Sequence, residues 1–139
     1  MDVLLVVGNE AGLILVPVES PNQGSIFELA AKLRLAVDTA RAGKIVSRSS
    51  SALPLFALSN LGMFGVKEFA AIIPPGCSAI LAVGSLRDHV IFEQAQVGVR
   101  KVCSVTLSAD HRIIDGIAAA KFLERMQFHL DSYGSDANH

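Results

Sequence analysis

The chain has 139 residues, of which 51% are hydrophobic and 18% are charged, and its formal net charge is −1. This length allows one domain with one hydrophobic core. The near-neutral charge argues against a nucleic-acid-binding protein, which needs a basic face, and no apolar run reaches the roughly 20 residues of a membrane-spanning helix. Cys77 and Cys103 lie far apart, so we expect two small buried side chains rather than a disulfide or a zinc site.

A β-hairpin is predicted at the start of the chain. Short apolar runs at 3–8 and 13–18 flank the sequence NEAG, and Pro17 favours a sheet edge for the second run. This stretch lacks a basic leading region and is interrupted by polar residues, so it does not fit a signal peptide.

An amphipathic helix follows the hairpin. Ser25 and Glu28 have the spacing of a capping box, in which each side chain satisfies a free main-chain N–H group at the start of a helix. Glu28 is also spaced to pair with Lys32, and Gly43 is expected to end the helix in a left-handed conformation. The segment 46–54 is rich in serine and is predicted to be a mobile surface loop.

The rest of the chain is predicted to be mostly β-structure closed by one helix. The turn NLGMFG is expected to expose Met63 and Phe64. The order β-β-α-β-β-β-β-α predicts one α/β domain with a mixed or mostly antiparallel sheet over 1–133, followed by a disordered tail at 134–139. The strands are expected at 54–60, 78–86, 89–92 and 97–109. The helix is expected from about Asp115 to Asp131, with an inward face formed by Ile117, Ala120, Leu123, Met126 and Leu130.

One histidine is distinguished by its position. His111 follows the last predicted strand and precedes the last helix, between Asp110 and Asp115. A neutral imidazole at such a helix N-terminus can act as a general base near pH 7. Asp115 can orient the imidazole, cap the helix or pair with an arginine, whereas Asp110 is expected to be a flanking turn residue. The same pattern is also typical of a capped turn whose histidine has no chemical role.

Ser59 is the second candidate, since it ends a predicted strand and precedes a glycine-containing turn. Its hydroxyl can donate a hydrogen bond to an oxyanion, or it can be an ordinary residue at a strand end. A hydrolase triad of Ser59, His111 and Asp115 is a further alternative, because triads are defined by geometry rather than sequence order. Ser59 does not lie in a GxSxG sequence, however, and the chain contains neither HExxH nor a P-loop.

Several of these segments together resemble one known family. DHRIIDG is similar to the active-site signature of the dihydrolipoyl acyltransferases, the core subunits of the 2-oxoacid dehydrogenase complexes. The resemblance runs from about Val3 to Asp131 and is most specific where DHRIIDG is preceded by SNLGMFG at the family's distance. The other matching segments are FALSNLGMFGVKEFAAIIPPG, AILAVGSL, ARAGK and GLILVPV.

The resemblance implies a chloramphenicol-acetyltransferase-like fold, a two-layer sandwich with a mixed sheet, in trimers that build cubic or dodecahedral cores. It implies an active site between subunits, with His111 as the catalytic base and Ser59 of the neighbouring chain as the oxyanion donor. Asp115 would hold the site together through an arginine. The implied substrates are coenzyme A and lipoyl groups, an acetyl group is the expected acyl group, and no metal is implied.

The chain also departs from the family pattern. It matches only the C-terminal part of the family's catalytic domain, so the domain is expected to be truncated at its N-terminus and to lack the arginine that partners Asp115. The alternative function is therefore a non-catalytic or degenerate assembly subunit of a 2-oxoacid dehydrogenase complex. The expected partners are copies of this chain, in a homotrimer or larger core, and the other subunits of the complex. The expected compartment is the bacterial cytoplasm or the mitochondrial matrix.

Overall fold

The computed structural model describes residues 2–9, 12–44, 55–93 and 96–136, and the segment predicted as a mobile loop, 46–54, lies outside them. The elements of the described residues are β1 (Val3–Asn9), β2 (Gly12–Val18), α1 (Ile26–Arg41), β3 (Phe56–Asn60), a single 3₁₀ turn (Gly62–Phe64), β4 (Ala79–Val83), β5 (Arg87–Glu93), β6 (Gln96–Val102), β7 (Val105–Ala109) and α2 (Gly116–Asp136).

Five strands form a mixed sheet in the order β2-β1-β3-β4-β7. β1 pairs antiparallel with β2 and parallel with β3, so the predicted hairpin is confirmed and Pro17 lies in an edge strand. β3 and β4 are parallel, and β7 closes the other edge antiparallel to β4. The parallel pair β1 and β3 needs a crossover connection, and α1 supplies it.

Helix α1 forms as its capping residues predict. The Ser25 hydroxyl accepts the Glu28 N–H at 3.2 Å, and the Glu28 carboxylate accepts the Ser25 N–H at 2.6 Å. This main-chain bond, together with the bond from the Ser25 hydroxyl, lowers the pKa of Glu28. Gly43 has a φ of 72° and takes the left-handed position after the helix. The predicted pair of Glu28 with Lys32 is wrong, because Lys32 Nζ instead donates to the main-chain oxygen of Glu19 at 2.5 Å.

Both helices lie on one face of the sheet. Ala40 of α1 packs in a buried cluster with Val7 and Val16. The ring of Phe122 in α2 lies 5.5 Å from that of Phe56, and the strand register places Phe56 on the α1 face, since it pairs with Val3. The helices and the sheet therefore make two layers.

The opposite face of the sheet is covered by the irregular segment 66–77. Leu4, Ala57 and Ile80 form its buried cluster, and Ala71, Ile73 and Cys77 of the segment pack against them. Burial of this thiol raises the pKa of Cys77. Cys103 is exposed, so its predicted burial is wrong.

Gly84 allows segment 66–77 to cross the end of β4. The Ser85 N–H donates to the Val66 carbonyl at 2.8 Å. A Cβ atom on Gly84 would overlap the Lys67 carbonyl oxygen, which no side chain tolerates. The glycine is therefore required by close backbone approach rather than by its own conformation.

The single strand predicted at 97–109 is wrong, since it is two strands in two sheets. β6 pairs only with β5 in a separate two-stranded sheet, whereas β7 joins the main sheet. At the break between them the Ser104 carbonyl accepts the N–H of Gly84 at 2.9 Å. The described chain thus has one strand more than the sequence pattern predicts.

Helix α2 is longer and more exposed than expected. It continues to Asp136, beyond the predicted end at Asp131, so the first part of the predicted tail is helical and residues 137–139 lie outside the described chain. Two residues predicted to face inward, Ile117 and Leu130, are 70% and 59% exposed. Much of the apolar surface of α2 is therefore uncovered in the isolated chain.

Candidate active site

The turn that carries His111 is fixed by its neighbour Asp110. The Asp110 N–H donates to the Ser78 carbonyl at 2.8 Å, which ties the end of β7 to the start of β4. The N–H groups of Ile113 and Ile114 both donate to the Asp110 carbonyl at 2.9 Å. His111 lies inside this closed turn, and its side chain is exposed. The imidazole of His111 is therefore accessible to solvent at this end of the sheet.

Asp115 is the N-cap of α2, as one of the sequence alternatives predicts. Its Oδ1 accepts the N–H of Ala118 at 2.7 Å, which satisfies one of the free donors at the helix start. His111 therefore lies shortly before a capped helix N-terminus. The cap alone explains the position of the Asp115 carboxylate, without an ion pair to an arginine.

The carboxylate that does bind an arginine is Asp110. Its oxygens accept Arg112 Nε at 3.0 and 3.1 Å and Arg112 Nη2 at 2.6 Å, and Oδ1 also accepts the Arg112 N–H at 3.0 Å. The side-chain hydrogen bonds, and after them the main-chain one, lower the pKa of Asp110 to about 2. Sequence analysis predicts Asp110 only as a flanking turn residue. The one sequence signal for its ion pair is the Asp-x-Arg spacing of Asp110 and Arg112.

Ser59 lies at the other end of the sheet. It is 8% exposed near the end of β3, and the turn that follows is held by Asn60, whose Oδ1 accepts the Gly62 N–H at 2.8 Å. Gly65 closes the 3₁₀ turn in a left-handed conformation with a φ of 74°. The predicted exposure of Met63 and Phe64 in this turn is confirmed.

Ser59 and His111 of one chain do not meet. Ser59 is level, across β4, with Thr106 of β7, whereas His111 follows Ala109 at the opposite end of that strand. Along the strands, the three residues from Thr106 to Ala109 span about 10 Å, at roughly 3.3 Å per residue. Across the sheet, the two strand spacings from β3 to β7 add about 10 Å, at roughly 4.8 Å per strand. A hydrolase triad within one chain is therefore wrong.

A cleft of about 750 Å³ opens beside Ser59. It lies over the carboxyl ends of the parallel strands β1 and β3, where ligands of α/β sheets bind. Its walls are mostly apolar, with Ser59, Asn60 and Arg41 as polar groups among Leu5, Val6, Val7, Gly8, Leu13, Leu33, Val37, Leu58, Leu61, Met63 and Phe64.

Among residues 2–9, 12–44, 55–93 and 96–136, no three His, Cys, Asp or Glu side chains are grouped so that they could hold a metal ion. Neither α1 nor α2, the two α-helices of that part of the chain, has the length and apolar character required to cross a membrane.

The family model of the 2-oxoacid dehydrogenases acyltransferase catalytic domain matches residues 1–135, so the chain belongs to this family. A similar relative is the dihydrolipoyllysine-residue acetyltransferase component of the pyruvate dehydrogenase complex of Rickettsia felis, 36% identical over 132 residues, which are 95% of this chain and 32% of the relative. The chloroplastic component 5 of Arabidopsis thaliana is 36% identical over 127 residues, 91% of this chain and 27% of the relative. The chain thus spans 32% and 27% of the length of these two relatives.

Solved structures share the fold. The cubic core of a pyruvate dehydrogenase multienzyme complex superposes with a TM-score of 0.80 at 28% identity, covering 90% of this chain and 51% of that one. The dihydrolipoamide acetyltransferase of Azotobacter vinelandii gives a TM-score of 0.79 at 28% identity, covering 91% and 51%. In that enzyme a serine, a histidine and an asparagine have been studied for their role in the catalytic mechanism. These likenesses confirm the predicted α/β fold with a mixed sheet, of the chloramphenicol-acetyltransferase-like kind.

Proposed function

We propose that this chain carries an acyltransferase site that moves an acetyl group between a dihydrolipoyl group and coenzyme A. The observation that carries the proposal is the turn at 110–115, which presents an exposed His111 at the capped N-terminus of α2. The acetyltransferase relatives support acetyl as the acyl group.

The site is proposed to form between two subunits. His111 and Ser59 lie at opposite ends of the sheet within one chain, so a contact between them requires a second chain. We infer a homotrimer that builds a larger core with the other subunits of a 2-oxoacid dehydrogenase complex. The likeness to a cubic pyruvate dehydrogenase core supports this assembly.

The spacing of three residues supports their assignment. The serine, histidine and asparagine studied in the Azotobacter vinelandii enzyme are separated by the same intervals as Ser59, His111 and Asp115 here. An asparagine at the third place is uncharged, so the position does not depend on an arginine partner. Asp115 accordingly acts as the helix cap at the start of α2, directly after the turn that carries His111.

The reaction then needs only proton transfer and charge stabilisation. The His111 imidazole takes the proton of the coenzyme A thiol, and the resulting thiolate attacks the carbonyl carbon of the acetyl-dihydrolipoyl thioester. The Ser59 hydroxyl of the neighbouring chain donates a hydrogen bond to the oxyanion of the tetrahedral intermediate. Collapse breaks the original C–S bond, and the departing thiolate takes the proton back from His111.

The direct test is acetyl transfer from acetyl-CoA to dihydrolipoamide by the purified chain and by its His111→Ala variant. Loss of the base is expected to lower kcat on the order of 10²–10⁴-fold. His129→Ala, which removes an exposed histidine late in α2, is the matched control and should leave the rate unchanged. Equal rates for wild type and His111→Ala would rule out the proposed base.

A non-catalytic assembly subunit is the second candidate. It is favoured by the exposed apolar side chains of α2, which a partner subunit could cover. The same assay separates the two functions, because an assembly subunit would bind partner subunits of the complex without catalysing acetyl transfer.

The two cellular compartments proposed for the protein are the bacterial cytoplasm and the mitochondrial matrix, and the Rickettsia felis relative is bacterial.

A further inference from the structure

Every polar group of Asp110 is used to hold the chain around His111. Its N–H binds the Ser78 carbonyl and its carbonyl accepts two N–H groups from the following residues. Its carboxylate accepts both the main-chain N–H and the guanidinium of Arg112. The residues immediately before and after His111 are thus joined by four hydrogen bonds that bypass the histidine.

The ion pair itself is not a source of global stability. The Arg112 side chain is 88% exposed and that of Asp110 is 20% exposed, with an Nη2–Oδ2 distance of 2.6 Å. Exposed ion pairs of this kind contribute little to the free energy of unfolding because solvent screens them. What the bidentate geometry does provide is directional restraint, since two parallel hydrogen bonds fix both partners.

Asp115 cannot provide the same restraint from its place in the chain. Its Oδ1 is engaged by the Ala118 N–H inside α2, so this carboxylate fixes the helix start rather than the turn at 110–113. Of the two aspartates that flank His111, only Asp110 is bonded across the histidine.

We propose that Asp110, through its bonds to Arg112, is the positioning residue that holds His111 in the orientation its catalytic role requires. The inference rests on the proposed acyltransferase function and extends it to a residue that does not touch the substrate. A misplacement of a catalytic group by about 1 Å can cost 10²-fold in rate. Release of the turn is therefore expected to lower kcat while leaving the KM for acetyl-CoA unchanged.

The experiment compares Asp110→Ala, Asp110→Asn and the wild-type chain, with Asp88→Asn as the matched control. The Asp110→Asn variant keeps an oxygen that accepts the Arg112 N–H but loses the charged pair, so its effects should lie between those of wild type and alanine. Asp88 forms an exposed ion pair with Lys101 at the same 2.6 Å distance, but in the hairpin of β5 and β6. A general effect of removing a surface carboxylate would therefore appear in both.

The first measurement is amide hydrogen exchange by NMR at Ile113 and Ile114, which is independent of activity. Exchange is expected to be about tenfold faster in Asp110→Ala, intermediate in Asp110→Asn and unchanged in Asp88→Asn, while the Ala119 amide inside α2 keeps its wild-type rate. Wild-type exchange in Asp110→Ala would overturn the proposal, whether or not the chain is an acyltransferase.

The second measurement is the steady-state rate of acetyl transfer. We expect kcat to fall roughly 10- to 100-fold in Asp110→Ala, with partial rescue in Asp110→Asn and no change in the KM for acetyl-CoA. A loosened turn with wild-type kcat would overturn the positioning role. An inactive wild type would contradict the proposed function instead, and the exchange rates would still decide whether Asp110 holds the turn.

Discussion

The two aspartates that flank His111 have different roles, although they lie only a few positions apart in the sequence. Asp115 binds forward into α2 and Asp110 binds across the histidine to Arg112. The role of Asp115 was predictable, because aspartate before a helical pattern is a common N-cap. The role of Asp110 was not, since an ion pair between residues two apart exists only in the turn conformation that the finished fold imposes.

Replacement of Asp115 tests the capping role. Asp115→Ala removes the acceptor of the Ala118 N–H and is expected to lower the free energy of unfolding by about 1 kcal/mol. Asp115→Asn keeps a side-chain oxygen, so we expect near wild-type stability and activity, in line with the asparagine of the Azotobacter vinelandii enzyme. Chemical denaturation followed by circular dichroism measures the free energy of unfolding of both variants, and the acetyl-transfer assay measures their activity. If the two variants were equally destabilised, the charge rather than the cap would be the stabilising feature.

The division of 97–109 into β6 and β7 is the main difference between sequence pattern and structure at the scale of elements. Alternation of polar and apolar side chains is regular from Cys103 to Ala109 but is interrupted at 100–103, where two polar residues are followed by two apolar ones. This interruption is a weak local signal, and the long-range hydrogen bond from the Gly84 N–H to the Ser104 carbonyl fixes the break in the structure. The hairpin β1–β2 and helix α1 were predictable because their signals, turn residues and a capping box, are local.

Gly84 is expected to be intolerant of any side chain. Gly84→Ala makes a Cβ overlap the Lys67 carbonyl oxygen, so segment 66–77 must move or the end of β4 must distort. Such overpacking costs at least about 1–3 kcal/mol. Thermal unfolding should show a lower Tm for this variant than for Gly8→Ala, where a Cβ meets no atom within 4 Å. Equal Tm values for the two variants would contradict the close approach.

On the scale of the whole molecule, the sequence predicts candidate site residues but not the distance between them in one chain. Ser59 and His111 each lie at the end of a predicted strand, and only the strand register shows that they lie at opposite ends of the sheet. The predicted inward face of α2 is only partly covered, with Leu123 and Met126 half-buried and Ile117 and Leu130 exposed, for a related reason. Periodicity indicates which side chains form an apolar face, but it does not indicate whether the same chain or another chain buries that face.

A site shared between subunits predicts complementation. Ser59→Ala and His111→Ala are each expected to be nearly inactive, but oligomers reassembled from an equal mixture should regain roughly a quarter of wild-type activity, since that share of interfaces combines an intact serine with an intact histidine. The measurement is acetyl transfer after joint dissociation and reassembly, with each variant reassembled alone as the control. Activity no higher than the average of the two single variants would contradict a site that combines Ser59 and His111 of different chains.

The hairpin of β5 and β6 has a thermodynamic consequence for the isolated chain. Val90, Phe92, Val97 and Val99 share one face, since Val90 is opposite Val99 and Phe92 opposite Val97, and they are 64–73% exposed. A two-stranded ribbon alone is marginally stable in water. Any copy that covers this face binds the folded form only, so mass action makes the stability of the hairpin rise with protein concentration. In the proposed assembly, dilution of the protein is therefore expected to destabilise this hairpin.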